Sequence, residues 1–292
     1  LSQAPENVAA AEAPGASVSP GAERIAAAFA SARDQGRAAL MPYMMGAYPD
    51  QAASIEVATA YADGGADLIE LGVPFSDPLA DGPVIHAAAT DALRNGAHLE
   101  SVLEVCRSAS SRLPVVLMAY SNMILGAGGP ADFASRAADA GASGVIVPDL
   151  PLGEDEESRA VLTDAGLAVV PLVAPTTPVD RRDRICQVAS GFVYVVSDVG
   201  TTGERGELPG HLRELVEDIK SRAEVPVAVG FGIGSPAQAA EVGEVADGVI
   251  IGSKLVRLVA DAADTSSAVQ ATATFLAETR AALGAGSSSP IR

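Results

Sequence analysis

A single (β/α)₈ barrel of the TIM type, α/β in class, is the architecture this chain predicts, and three features carry the expectation. The first is size: 292 residues, 48% hydrophobic and 19% charged, exclude a disordered or fibrous chain and suffice for one large core or two modest ones. The second is an alternation running from about residue 21 to residue 283. A short aliphatic or β-branched run, a loop with Gly or Pro and an Ala-rich stretch of helical period follow one another repeatedly, the pattern of parallel βα units. The third is the number of apolar runs, eight, which closes most naturally into a barrel. A doubly wound open sheet is the rival, but no G-x-G-x-x-G follows the first strand.

Taken in order, residues 1–20 are Ala, Pro, Glu, Ser and Gly with almost nothing to bury, and a disordered tail is expected there. Strand one falls at 40–45. The phrase Asp63-Gly64-Gly65-Ala66-Asp67 then ends a helix with glycine in the left-handed cap, and strand two follows at 68–73. Strand three falls at 115–120. Two further caps, Asp139-Ala140-Gly141-Ala142 and Asp164-Ala165-Gly166, precede strands at 145–147 and 168–173. The remaining strands fall at 193–196, 227–229 and 249–251, with inserted length after strands two and six. From Gly284 to Arg292 the chain is Gly/Ser-rich and reads as a second flexible tail.

Nineteen Lys and Arg against 37 Asp and Glu leave a net charge of −18, which repels phosphate backbones and anionic lipid, so neither nucleic acid nor a membrane surface is an expected partner. Cys106 and Cys186 are far apart, and His86, His98 and His211 do not cluster, so neither a disulfide scaffold nor a metal site is expected. No apolar run approaches the roughly 18 residues of a membrane span, and a cytoplasmic protein is expected.

In such a barrel the chemistry sits at the carboxyl ends of the strands. Glu70 lies inside strand two, on the same face as Leu68. If that face is the interior, loss of hydration moves its pKa toward neutrality, as an acid/base group requires; otherwise Glu70 pairs with an arginine in a polar layer. The next ten residues, Pro74-Phe75-Ser76-Asp77-Pro78-Leu79-Ala80-Asp81-Gly82-Pro83, are stiff and non-helical. Asp81 could reach over the same pocket as a second carboxylate, or Asp77 and Asp81 could be turn residues.

After strand seven, Gly230-Phe231-Gly232-Ile233-Gly234-Ser235 opens a helix, and Gly252-Ser253 opens another after strand eight. Such turns expose backbone N–H groups to an anion at a helix N-terminus, although glycines also cap helices with no ligand. The two lysines, Lys220 in an expected helix and Lys254 beyond the strand-eight glycine, are badly placed for a Schiff base, so any carbon–carbon cleavage should run by acid/base catalysis.

The run Ile69-Glu70-Leu71-Gly72-Val73 through Pro83 resembles the signature of the tryptophan synthase alpha chain family. Similar stretches are Met41-Pro42-Tyr43, Leu117-Met118-Ala119-Tyr120-Ser121-Asn122, Ile146-Val147-Pro148-Asp149-Leu150-Pro151, Ala174-Pro175-Thr176, Tyr194 with Ser197 and Gly200-Thr201-Thr202-Gly203, and Gly230-Phe231-Gly232-Ile233. The resemblance extends over about residues 23 to 283. It implies a (β/α)₈ lyase that cleaves indole-3-glycerol phosphate to indole and glyceraldehyde 3-phosphate, the indole passing to a beta chain in an αββα heterotetramer. It implies no cofactor in this chain, pyridoxal phosphate belonging to the beta partner.

Residue by residue, the resemblance assigns Glu70 as catalytic acid/base and Asp81 as the carboxylate facing the indole N–H. Tyr194, Tyr120 and Thr202 are assigned to the substrate, Thr202 on a loop that closes over Asp81. Gly203, Gly232, Gly252 and Ser253 are assigned to the phosphate. Gly200, Gly203 and Gly206 argue against a single resting conformation for the loop at 197–209. Asp198, Thr201, His86 and the order Met45-Gly46-Ala47 depart from the family's usual residues. A stand-alone lyase releasing free indole, and a weakly active subunit that mainly activates the beta chain, are the alternatives.

Overall fold

The structure is a computed structural model that describes residues 18–126, 128–196, 210–230 and 232–285. Its strands are β1 (Ala39–Met45), β2 (Ile69–Gly72), β3 (Val115–Met118), β4 (Gly144–Ile146), β5 (Ala168–Val170), β6 (Leu172–Val173), β7 (Val193–Val196), β8 (Val227–Gly230) and β9 (Gly248–Ile251). All pair in parallel, in the order β5-β4-β3-β2-β1-β9-β8-β7-β6. The two ends of that order, β5 and β6, are consecutive in the chain, so the sheet closes on itself as a barrel with helices outside.

The eight expected runs therefore become nine strands, because the run at 168–173 is divided at Pro171. Proline has no N–H to give to a ladder. Its carbonyl still accepts from the Tyr194 N–H at 3.0 Å, so β5 pairs back onto β4 while β6 pairs forward onto β7.

Both faces of each strand are buried, which is why the strands read as continuous apolar runs rather than as alternating ones. One face fills the barrel: Met41, Leu68, Val116, Ile146, Phe192 and Ile250 meet there. Helix Pro20–Asp34 adds Ile25 and Phe29 to the same cluster and plugs the amino end. The other face, with Leu40, Ile69, Leu71, Leu117 and Val229, packs under the helices.

A polar clamp ties the amino ends together. Arg37 and Asp67 form a nearly dry ion pair at 2.6 Å, Asp67 also accepts from the Leu40 N–H at 2.8 Å, and Arg280 of the last helix, Thr265–Ala285, donates to the Gly65 carbonyl at 2.6 Å. Gly65, Gly141 and Gly166 hold φ of +90°, +80° and +88°, the left-handed caps that their phrases predict. The described chain enters its first helix at Pro20, capped by Ser19, and leaves its last at Ala285, so helix extends slightly into both segments read as tails. Among the described residues no helix is long and apolar enough to cross a membrane.

Candidate active site

Glu70 is placed by β2 on the interior face, with Tyr43 of β1 and Val116 of β3 as its register neighbours. It is 1% exposed, and its Oε2 atom has no hydrogen-bond partner. Among the described residues no arginine or lysine pairs with it, which favours the acid/base reading over a structural ion pair. Burial first, and the neighbouring Asp81 second, push its pKa up to about 8. A carboxyl in that state holds its proton at neutral pH and can still give it up.

The loop after β2 brings Asp81 to the same pocket. The Tyr120 hydroxyl, just beyond β3, donates to Asp81 Oδ1 at 3.0 Å and accepts from the Ala80 N–H at 3.1 Å, while Phe75 stacks on the Tyr120 ring at 5.2 Å. Tyr120 thus holds the carboxylate loop in place. Burial raises the Asp81 pKa, opposed by the Tyr120 hydrogen bond and by the positive charge of His86. Asp77 is exposed and, among the described residues, accepts only from its neighbour Ser76, as a turn residue does.

Two further tyrosines complete the barrel mouth. The Tyr194 ring lies over Gly230 of β8: a Cβ there would sit 2.4 Å from the phenol oxygen. Tyr43 lies over Gly72 of β2 in the same way, at 2.2 Å. Both glycines are required because the rings occupy the space a side chain would take. Tyr43 was not among the residues singled out from the sequence as acting at the site; the signal for it is that residues 39, 41, 43 and 45 alternate onto one face.

Between β3 and β7 at the carboxyl end opens a largely apolar cavity of about 380 Å³, walled by Met118, Ile146, Leu150, Leu172 and Tyr194, with Ala80 at its edge beside Asp81. The two glycine turns differ. Gly252 precedes helix Ser253–Ala260 with no side-chain cap, so the first N–H groups of that helix stay available. Helix Pro236–Gly243 is capped by Ser235, which accepts from the Gln238 N–H at 3.3 Å, and the Gly234 N–H donates to the Gln238 side chain at 2.8 Å. Gly232 lies in the coil between β8 and that helix.

Thr202 and Gly203, with Asp198 and Thr201, lie outside the described residues. Lys220 reaches Asp247 at 2.7 Å at the amino end, and Lys254 lies 5.9 Å above the Phe275 ring in the outer helices; neither points at the barrel interior. Among the described residues no group of three or more His, Cys, Asp and Glu could hold a metal.

A family model for the tryptophan synthase alpha chain matches residues 29–283, most of the barrel. The chain belongs to the tryptophan synthase alpha chain family. It is 48% identical over 238 residues to the tryptophan synthase alpha chain of Carboxydothermus hydrogenoformans, covering 81% of this chain and 89% of that one. It is 46% identical over 263 residues to that of Burkholderia pseudomallei, covering 89% and 96%. Among solved structures, a chain of Mycobacterium tuberculosis tryptophan synthase superposes with a TM-score of 0.82 at 36% identity, covering 89% of this chain and 98% of that one. The tryptophan synthase alpha subunit of Legionella pneumophila gives 0.80 at 34% identity, over 89% and 98%. Of the departures from the usual residues of the tryptophan synthase alpha chain family, Gly46 has a visible role: its N–H donates to the Gly72 carbonyl at 2.8 Å, tying the end of β1 to β2. His86 is exposed on helix Pro83–Arg94 and acts on the site only through its charge on Asp81.

Proposed function

We propose that this chain cleaves indole-3-glycerol phosphate to indole and glyceraldehyde 3-phosphate by acid/base catalysis, the indole passing to a beta chain. The observation that carries the reading is the meeting of a buried Glu70, one of whose carboxyl oxygens has no partner among the described residues, with the Asp81 carboxyl on the next loop. In the proposed step Glu70 gives its proton to indole C3, and positive charge develops at the ring nitrogen, where Asp81 stabilises it. The Glu70 carboxylate then takes the proton of the side-chain hydroxyl. The carbon–carbon bond breaks, its electron pair returns to the ring, an aldehyde is left, and Glu70 ends protonated as it began. The apolar cavity suits the indole ring, and a substrate seated there would keep water from the neighbouring carboxyls. Neither lysine is placed to form an imine, which favours this route.

The phosphate is assigned to Gly252, Ser253, Gly232 and Gly203, with the uncapped helix at Ser253 as the strongest donor. Glycerol phosphate is expected to bind there through backbone N–H groups. Backbone amide chemical shifts of Gly252, Ser253 and Lys254 should move on titration with glycerol phosphate, whereas shifts confined to other helix N-termini would count against the assignment.

The beta partner is assigned to the stiff loop holding Asp77, Pro78 and Leu79, the last of which is 86% exposed. A partner seated on that loop would bias Asp81 toward its working position, and activity rises in proportion to the fraction so placed. A beta chain carrying its own pyridoxal phosphate is therefore expected to raise the rate of indole release by about tenfold or more. Equal rates with and without it would favour the stand-alone lyase. Assembly as αββα is read out by the mass of the mixture.

A further inference from the structure

The Tyr43 phenol is 4% exposed, yet its one hydrogen-bond partner among the described residues is the Met45 sulfur at 4.0 Å, a weak acceptor. On the neighbouring strand, at the register position facing Tyr43, Glu70 Oε2 is buried with no hydrogen-bond partner among the described residues. A buried donor held only by a thioether and a buried acceptor left empty each carry a desolvation cost that one hydrogen bond between them would remove. They share the interior face. Tyr43 and Glu70 are register partners on adjacent parallel strands, which run about 4.8 Å apart. The Tyr43 backbone is fixed by the Tyr61 hydroxyl, which donates to its carbonyl at 3.2 Å, and its ring is laid toward β2 by the space over Gly72.

We propose that Tyr43 is a positioning residue for Glu70: its hydroxyl donates to the Glu70 carboxylate in the interval when that group has given up its proton, and returns to the Met45 sulfur when Glu70 is neutral. The inference rests on the proposed cleavage, in which Glu70 must become charged once per turnover while buried. Among the described residues, Tyr43 is the phenol in register with Glu70. Asp81 is itself an acceptor and repels the charge, Tyr120 is engaged with Asp81 and Ala80, and Tyr194, which also feels the Glu70 charge, lies over Gly230 on a strand that does not pair with β2. His86 is exposed and acts on Asp81. Burial and the charges of Asp81 and Glu70 all hold the Tyr43 phenol in its protonated form, so it stays a donor across the working pH range.

The test is Tyr43→Phe, which keeps the ring over Gly72 and removes only the oxygen. In the full chain labelled with carbon-13 at glutamate carboxyls, the Glu70 signal is identified by its absence in Glu70→Gln and titrated without substrate. Loss of a donor to the charged form should move its midpoint up by about one pH unit, and kcat should fall about tenfold with KM little changed. Met45→Leu takes away the competing sulfur and keeps the donor, so its midpoint should stay at or below the wild-type one. An unmoved midpoint in Tyr43→Phe, or the same upward move in Met45→Leu, overturns the proposal. The titration needs no turnover, so it still reports on Tyr43 if the chain proves inactive toward indole-3-glycerol phosphate.

Discussion

Replacing Glu70 with glutamine is expected to lower indole release by a factor on the order of 10²–10⁴ while leaving the fold intact, and by more if the same group serves both proton transfers. The amide has the shape of the acid but cannot exchange a proton. Stability should be preserved because Oε2 has no partner to lose, and a neutral side chain in that dry position avoids the cost of ionisation at high pH. Indole release with saturating substrate, beside thermal unfolding by circular dichroism, separates the two effects. Wild-type turnover in a folded variant would remove Glu70 from the reaction.

Asp81→Asn is the second large effect. The Tyr120 hydroxyl can donate to the asparagine carbonyl as it does to Oδ1, so the loop should stay seated while its charge is lost. In the proposed step positive charge at the indole nitrogen develops only toward the transition state, so kcat should fall by roughly 10²–10³ with a smaller change in KM. The variant should also move the pH profile. Glu70 is held at about 8 by burial and by the Asp81 charge, both acting upward; removing the second lowers its pKa. The acid form needed at the start of the reaction is then lost at a lower pH, and the alkaline limit of kcat/KM shifts down. A change confined to KM, with the alkaline limit unmoved, would make Asp81 a ground-state contact instead.

Much of this was legible in the chain. Leu68 and Glu70 fall on one face because strand residues alternate, and an acid within an aliphatic run has to be either paired or perturbed. The phrase at Asp63–Asp67 announces a left-handed cap because only glycine adopts that backbone without strain, and Gly65 is found there. The two lysines could be set aside by position. Tyr43, which the sequence shows only within a stretch similar to the family, draws no role there because an aromatic residue within an apolar strand is ordinarily core, and nothing local distinguishes a phenol beside a carboxylate from one beside another hydrophobe.

The sequence by itself determined the element order, the barrel and the carboxylate within the second strand, since local periodicity and turn chemistry are short-range properties written in neighbouring residues. Only the tertiary structure decided that Pro171 divides the fifth strand between two partners. It alone showed that Tyr120 holds Asp81, that Gly72 and Gly230 clear space for Tyr43 and Tyr194, and that the Ser253 helix is left uncapped while its neighbour is closed by Ser235 and Gln238. Each of these depends on which groups are left without a hydrogen-bond partner, or without room, once strands distant in sequence lie side by side, and that is settled by burial across the whole barrel.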